Sequence, residues 1–277
     1  MIRQAVILAA GLGTRMQKKE DNLSLNHHDN KHIDAGLKGM ILADDDRPLF
    51  DSSISNLIDA GINHIIFVVK AESREMLKER YEKKLLGKVK LSFAIQKEPL
   101  GTANAVLAAE NYTRNEPFLV MCFDNIYPLD SLKKIVSVDL QWSVLGYDRD
   151  ALEDPSLSNL RKEKIRRCAV LQSKSGVLLK IVEAAENQEI YNSDGKILIG
   201  MGLFGFTQEI YEACKKIKPR ERVKGKIEYE LPDAVQYGIE MGRTVKVIYH
   251  YGGVIDLTAQ IDIDGARRLS KNRKLKF

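Results

Sequence analysis

Residues 5–16 read AVILAAGLGTRM, and the five consecutive positions Gly11, Leu12, Gly13, Thr14 and Arg15 hold most of the chemistry available near the amino terminus. Glycines at the end of an apolar run allow a tight turn and expose backbone N–H groups, and a helix starting there would add its positive dipole end. With a hydroxyl and a guanidinium beside them, such a corner favours phosphate. It is not the dinucleotide fingerprint, which needs a third glycine, nor a P-loop, which needs Gly-Lys-Ser/Thr. A purely structural turn explains the two glycines but leaves Arg15 without a reason. Further on, Asp124 in FDNIYP and Asp256 in VIDLT each follow an apolar run. Two carboxylates aimed at one crevice would offer magnesium hard oxygen ligands while leaving room for water and phosphate.

Those residues need elements to aim them. The first half alternates strand-like runs (QAVILAA, HIIFVVK, KLSFAIQ, FLVMCFDN) with the helical patterns PLFDSSISNLIDAGI, ESREMLKERYEKKLLG and TANAVLAAEN. Apolar strands that are each followed by a helix imply right-handed crossovers and a mainly parallel, Rossmann-like α/β sheet flanked by helices. In such sheets ligands bind beyond the carboxyl ends of the strands. The polar clusters after Ala10, after Gln96 and at Asp124 all fall there, so three distant segments can converge. The second half reads as a smaller α+β part that continues the sheet. It comprises a hairpin over IRRCAVLQSKSGVLLKIVE, the strand IGMGLFGF, the helix TQEIYEACKKI capped by Thr207, the helix EYELPDAVQYGIEMG and the strand TVKVIYHY. The stretch 17–37 is polar and without periodicity, which predicts a long loop over the crevice.

Composition narrows the class. A chain of 277 residues with 44% hydrophobic and 29% charged residues can bury a substantial core. No run reaches the ~18 apolar residues of a membrane span, and the first apolar run lacks a cleavage site and reads as a strand. Cys122, Cys168 and Cys214 form neither a disulfide framework nor a zinc pattern, so a reducing cytoplasm is expected. A net charge of +5 with only 7% aromatics suits small anions better than nucleic acid. Much of the excess lies in the tail RRLSKNRKLKF, read as a solvated, frayed end. His27, His28 and His32 read as a solvated loop, and Asp44, Asp45 and Asp46 as a turn. Trp142 fits a core anchor as well as a sugar platform. Glu228 and Glu230 precede a helix, where carboxylates favour the dipole.

LAAGLGTRM resembles the amino-terminal motif of the sugar-1-phosphate nucleotidyltransferases, or NDP-sugar pyrophosphorylases, and further matches follow in order. LKGMILADDDRPLFDSSISNLIDAGI is similar to the family's lysine motif and turn, with Lys38 at the catalytic lysine. QKEPLGTANAV is similar to the base-recognition segment, FDNIYP to the strand-end aspartate and LLKIVE to the hairpin leading to a sugar-contacting glutamate. GLFGF, EYELPDAV and VIDLTAQIDI resemble the later elements, so the likeness runs to about residue 265. It implies a single nucleotidyltransferase domain over 1–277, with a nucleotide-binding half (1–135), a sugar-binding half (136–277) and no C-terminal β-helix. It also implies catalytic roles for Arg15, Lys38 and Asp124, and Mg2+ on Asp124 and Asp256. Leu8, Ala10, Gly11, Leu12, Gly13, Thr14, Gln96, Pro99, Gly101, Thr102 and Asn125 fall at nucleotide-binding positions, and Glu183, Gly202 and Glu228 at sugar-binding ones. Partners would be a nucleoside triphosphate and a sugar 1-phosphate, with no nucleic acid or membrane, and a homo-oligomer is compatible with the resemblance. Four departures stand out: a longer loop before Lys38, Ala184 where a lysine follows the glutamate, Phe123 where a glycine precedes the aspartate, and Gly200 in place of asparagine.

The implied reaction gives a nucleotide sugar and pyrophosphate, with UTP or dTTP favoured. Its nucleophile is a phosphate oxygen, ionised at neutral pH because the second pKa is about 6. No general base is required. Positioning and neutralisation of charge then carry the catalysis. The departures lie mostly on the sugar side and leave a non-sugar acceptor, phosphocholine or a cyclitol phosphate, as an alternative. A non-catalytic, nucleotide-sensing subunit is a third reading, opposed by the joint presence of Arg15, Lys38, Asp124 and Asp256.

Overall fold

The structure, a computed structural model, describes residues 1–18, 25–138, 141–182, 192, 195–223, 225–271 and 275. The chain runs from β1 (Gln4–Leu8) through α1 (His27–Asp34) and α2 (Asp51–Asp59) to β2 (His64–Val69), α3 (Arg74–Tyr81), β3 (Lys90–Ile95), α4 (Thr102–Ala108) and β4 (Phe118–Cys122). The short β5 (Asn125–Ile126) precedes α5 (Leu129–Val136), β6 (Trp142–Asp148), α6 (Arg149–Glu153) and α7 (Lys162–Ile165). Then come the hairpin of β7 (Ala169–Lys174) and β8 (Val177–Val182), β9 (Leu198–Phe206) and α8 (Glu209–Lys216). A ribbon of β10 (Arg220–Val223) and β11 (Lys226–Glu228) leads to α9 (Leu231–Glu240), β12 (Val245–His250), β13 (Ile255–Asp256) and α10 (Ile263–Ser270).

Alternation within the apolar runs decides the layering. In β1, Ala5 and Ile7 enter one core and Val6 the other; in β2, Ile65, Phe67 and Val69 join the first and Ile66 and Val68 the second. Strands apolar on both faces must be covered on both. Ile54 and Leu57 of α2, Leu77 and Tyr81 of α3 and Ile135 of α5 cover one side. Val106 of α4, Ile210 of α8 and Val235 of α9 cover the other. The resulting sheet has nine strands in the order β3-β2-β1-β4-β9-β6-β12-β8-β7. Its first four strands are mutually parallel. β9 runs antiparallel to β4 and β6, and β7 pairs with β9 as well as β8, so the last five strands close into a ring. Both halves of the chain therefore build one continuous sheet.

Several local expectations are corrected. The predicted loop at 17–37 contains a helix, α1, started by Asn26, whose side chain accepts from the Asp29 backbone N–H at 2.7 Å. Within it Asp29 and His32 are buried and the His28 and His32 rings lie 4.1 Å apart, so the histidines do not form a solvated loop. α3 and α9 are shorter than their patterns, because 82–87 are turns and 226–228 pair as β11. Thr207 does not cap α8; its hydroxyl oxygen accepts the Trp142 indole N–H at 3.1 Å, which fixes Trp142 as a core anchor. The basic tail begins as α10 rather than as a frayed end.

Buried Asp29 joins three of these pieces. Its carboxylate accepts the Leu42 N–H at 2.9 Å and the Arg267 guanidinium of α10 at 2.8 Å, while Arg267 also donates to the Leu42 carbonyl. Removing one partner of a buried pair leaves the other charge uncompensated. Arg267 retains some access to water, so Asp29→Ala is expected to cost about 2–3 kcal/mol, read as a lowered urea midpoint. An unchanged midpoint would show that α10 is not held through this carboxylate.

Candidate active site

The carboxyl ends of β1, β3 and β4 open onto a crevice of about 320 Å³. Leu8, Ala10, Gly11 and Leu12 line it from β1, and Gln96, Pro99, Gly101 and Thr102 from beyond β3. Asp124, Arg15 and Lys38 line it as well, and Glu228 does so from β11. Gly13 and Thr14 belong to the same corner but lie outside the lining, Thr14 being exposed on the turn. That turn folds back on itself, with the Met16 and Gln17 N–H groups donating to the Gly13 carbonyl. No helix follows the corner among the described residues, so the expected helix dipole is not part of it.

Close backbone packing sets Lys38 in place. A Cβ on Gly36 would strike the Gly11 carbonyl oxygen, and Gly36 holds a φ of +77°. The loop can therefore lie directly on the glycine corner before a single 3-10 turn at Lys38–Met40. From that turn Lys38 Nζ donates to Asp124 Oδ2 at 2.9 Å. Burial works to raise the Asp124 carboxyl. The Lys38 charge and hydrogen bond, with Lys164 beyond, outweigh it and hold the group below the usual carboxylate range. Phe123, standing where a glycine was expected, is buried against Phe50 with ring centroids 4.4 Å apart.

Asp256 comes beside the Asp124 backbone from the far end of the sequence, but it is not among the residues lining the crevice. β13 pairs antiparallel with β5, Asp256 opposite Asn125, and the Leu257 N–H donates to the Asp124 carbonyl at 2.9 Å. Asn159 brackets Asp256, accepting its N–H and donating to its carbonyl, both at 2.8 Å. The Asp256 carboxylate is paired with Lys164 of α7, which also meets Thr258 and lies 4.0 Å from Asp262. Burial pulls the Lys164 ammonium down to about 8, against the charges of Asp262 and Asp124. Each aspartate thus already holds one ammonium. Lys164 is the functional candidate that sequence reasoning missed: it sits in RKEKIRR among five other cations-or-carboxylates of similar type, and nothing in the spacing distinguishes it.

Beyond β3, Gln96 is buried and its Nε2 donates to the Gly101 carbonyl at 3.1 Å and to Asn104 Oδ1 at 2.9 Å. Gly101, with φ +99°, admits no side chain, since a Cβ would lie 2.5 Å from the Tyr229 carbonyl oxygen. The Thr102 hydroxyl donates to Glu230 at 2.8 Å and accepts the Leu231 N–H at 2.7 Å, tying the starts of α4 and α9 together. Its polar capacity goes to the scaffold. Glu228 is ion-paired with Lys226, which also lines the crevice.

Two expected positions behave otherwise. Asn125 is buried away from the crevice, its Nδ2 donating to the Met201 carbonyl at 3.1 Å and to the Tyr127 hydroxyl at 3.2 Å. It anchors β5 to the Met201 carbonyl behind the site. Gly202 packs behind the lining residue Cys122, whose Sγ would be 2.8 Å from a Cβ there. Burial pushes the Cys122 thiol up to about 12, with the Asp124 charge adding to it, so it is an inert wall residue. Glu183 lies outside the described residues.

Residues 4–139 match the nucleotidyl transferase family. The UTP–glucose-1-phosphate uridylyltransferase AglF of Haloferax volcanii is 27% identical over 271 residues, covering 96% of this chain and 95% of that protein. The bifunctional protein GlmU of Caldanaerobacter subterraneus is 26% identical over 97% of this chain, which spans 52% of GlmU. Among solved structures, a UDP-glucose pyrophosphorylase complexed with UDP-glucose superposes with a TM-score of 0.69 at 20% identity, over 98% of this chain and 97% of that one, which is a likeness of fold. No helix among the described residues is long and apolar enough to cross a membrane.

Proposed function

Through residues 4–139 this chain belongs to the nucleotidyl transferase family, and from that premise we propose that it transfers a nucleotidyl group from UTP or dTTP to a sugar 1-phosphate, releasing pyrophosphate. The observation that carries this reading is the convergence of the glycine corner, Arg15 and the Lys38–Asp124 pair on one crevice. The end-to-end likeness to AglF supports the sugar phosphate as acceptor.

The reaction requires two anions to meet and charge to move onto the leaving pyrophosphate. Backbone N–H groups at Gly11 and Leu12 hold the triphosphate, and the Arg15 guanidinium offers a planar fork to the leaving group. Lys38 places a compact charge at the α-phosphate. An ammonium has three donors, so it can serve Asp124 and a phosphate oxygen together. The acceptor phosphate attacks in line, already ionised, and no proton need be removed. Lys164 is the cation that the second half brings to the two aspartates, in a chain with Ala184 where the resemblance leads one to expect a lysine.

Asp124 and Asp256 fit a divalent cation: they are hard carboxylate donors on adjoining backbone, and each already accepts an ammonium. No group of three metal-ligating side chains occurs among the described residues. Mg2+ held by this pair would complete its shell with phosphate oxygens and water, and would supply charge neutralisation across both phosphates.

Gln96 supports this base preference against CTP and ATP. With Nε2 committed to Gly101 and Asn104, the amide is left with its carbonyl oxygen, an acceptor for the ring N–H of uracil or thymine that cytosine and adenine lack. Gln96→Ala is expected to raise KM for UTP about tenfold, the loss of roughly one good hydrogen bond, with kcat little changed. Loss of kcat at constant KM would instead make Gln96 part of the reacting geometry. The function itself is tested by mass spectrometry of the products formed from UTP or dTTP with glucose 1-phosphate. A UDP- or dTDP-hexose supports the reading; triphosphate consumed without any sugar nucleotide would reject it.

A further inference from the structure

A second cleft, of about 610 Å³, lies at the opposite end of the parallel strands. Its walls come from the beginnings of the strands whose ends build the crevice. Arg3 and Gln4 stand at the start of β1, His64 opens β2, Lys90 opens β3, and Arg114 and Glu116 lie in the turn before β4. Lys88 adds a fourth cation to Arg3, Lys90 and Arg114, against the single carboxylate of Glu116. That carboxylate already accepts a hydrogen bond from Gln4 Nε2 at 3.2 Å. The charged ends of Arg3, Lys90 and Arg114 make no ion pair with any described residue.

The floor is built rather than incidental. Gln4 and His64 are 3% and 7% exposed, and the imidazole is fixed on both sides, Nδ1 to Gln4 Oε1 at 3.0 Å and Nε2 to Ser92 Oγ at 2.9 Å. Burial, aided by the charges of Lys90 and Arg114, pulls His64 down to about 4. The floor is therefore neutral near pH 7, and the charged ends of Arg3, Lys90 and Arg114 stand above it without an ion pair to any described residue. Arg114 and Asn115 hold φ values of +48° and +60°, a left-handed conformation unusual for arginine that turns this rim.

We propose that this cleft binds a small phosphate-bearing anion at a site separate from the catalytic crevice. Two guanidinium forks and an ammonium suit the geometry of a phosphate dianion. The volume is that of a small-molecule site. The lining has no aromatic platform on which single-stranded nucleic acid would stack.

The test is an NMR titration of the full chain with inorganic phosphate at constant ionic strength, following the His64 ring, the Arg114 amide and the amides of Gly11–Arg15. Saturable shifts at His64 and Arg114 are expected, with the His64 pKa rising because a bound dianion favours imidazolium. The double variant Lys90→Ala/Arg114→Ala should weaken that binding about tenfold or more, with the rest of the spectrum unchanged. Both side chains are exposed, and Lys90→Gln alone provides the same test without removing bulk. Lys38→Ala should leave the His64 response intact. Glycerol phosphate run in parallel separates the sources: tighter binding than inorganic phosphate assigns the cleft to an organic phosphate, equal binding to free phosphate. Shifts confined to Gly11–Arg15, no shift at all, or wild-type affinity in the variants would each overturn the site. The first of these would leave the catalytic reading standing.

Discussion

Lys38→Ala is expected to lower kcat by about 10²–10³ while leaving the fold in place, the scale measured for removing one preorganised donor from a developing oxyanion. Lys38 stands on a single 3-10 turn pressed against Phe123 by Gly39, so its backbone position does not depend on its side chain. Its Nζ makes one direct bond, to Asp124, which is partly open to water and can be resolvated. The substitution should therefore remove charge from the α-phosphate and little else. Steady-state kinetics with a circular dichroism control would check it. Lys38→Arg should recover only part of the rate, since a planar fork cannot occupy the place of a compact ammonium. A fall in stability comparable to the fall in rate would mean that Lys38 holds the loop rather than the phosphate.

Asp256→Asn should have an effect as large, through a different route. Asn159 holds only the backbone of residue 256, so the isosteric amide leaves that bracket intact and removes the charge that faces Lys164. Lys164 is then left with Asp262 at 4.0 Å, and the pair with Asp124 no longer offers two carboxylates. We expect kcat to fall by at least about 10², and the Mg2+ concentration giving half-maximal rate to rise about tenfold or more. A metal titration of both enzymes measures this. An unchanged Mg2+ requirement would separate Asp256 from the metal and make it only the counter-ion of Lys164.

The parts of the site that were legible in the sequence are local ones. The glycine corner, Gln96 with Gly101, and Asp124 each sit where a short apolar run breaks into polar residues. In a parallel sheet, all such breaks at strand ends face one side. Asp256 was legible as a carboxylate closing an apolar run, although its strand β13 pairs with β5 outside the parallel sheet. Lys164 was not, because a basic run on a short helix shows no period, and only the antiparallel pairing of β13 with β5 brings one of its members to Asp256. α1 was hidden by its polarity: HHDNKHID has almost no apolar stripe, and it is held by the Asn26 cap and by burial of Asp29 against Arg267. Asn125 misled by adjacency to Asp124, since its amide is spent on the Met201 carbonyl and the Tyr127 hydroxyl. The ring closed by β7 on β9 could not be read either, because a hairpin specifies its own pairing and not its third neighbour.

The central claim concerns which two substrates the crevice joins. The most direct measurement is pyrophosphate release by the purified protein with Mg2+, crossing UTP, dTTP, CTP, ATP and GTP with sugar 1-phosphates, phosphocholine and a cyclitol phosphate. Release is expected only when UTP or dTTP is paired with a sugar 1-phosphate, and none when the acceptor is left out. Release confined to CTP with phosphocholine or the cyclitol phosphate, or silence across the panel while nucleotide still binds, would contradict it.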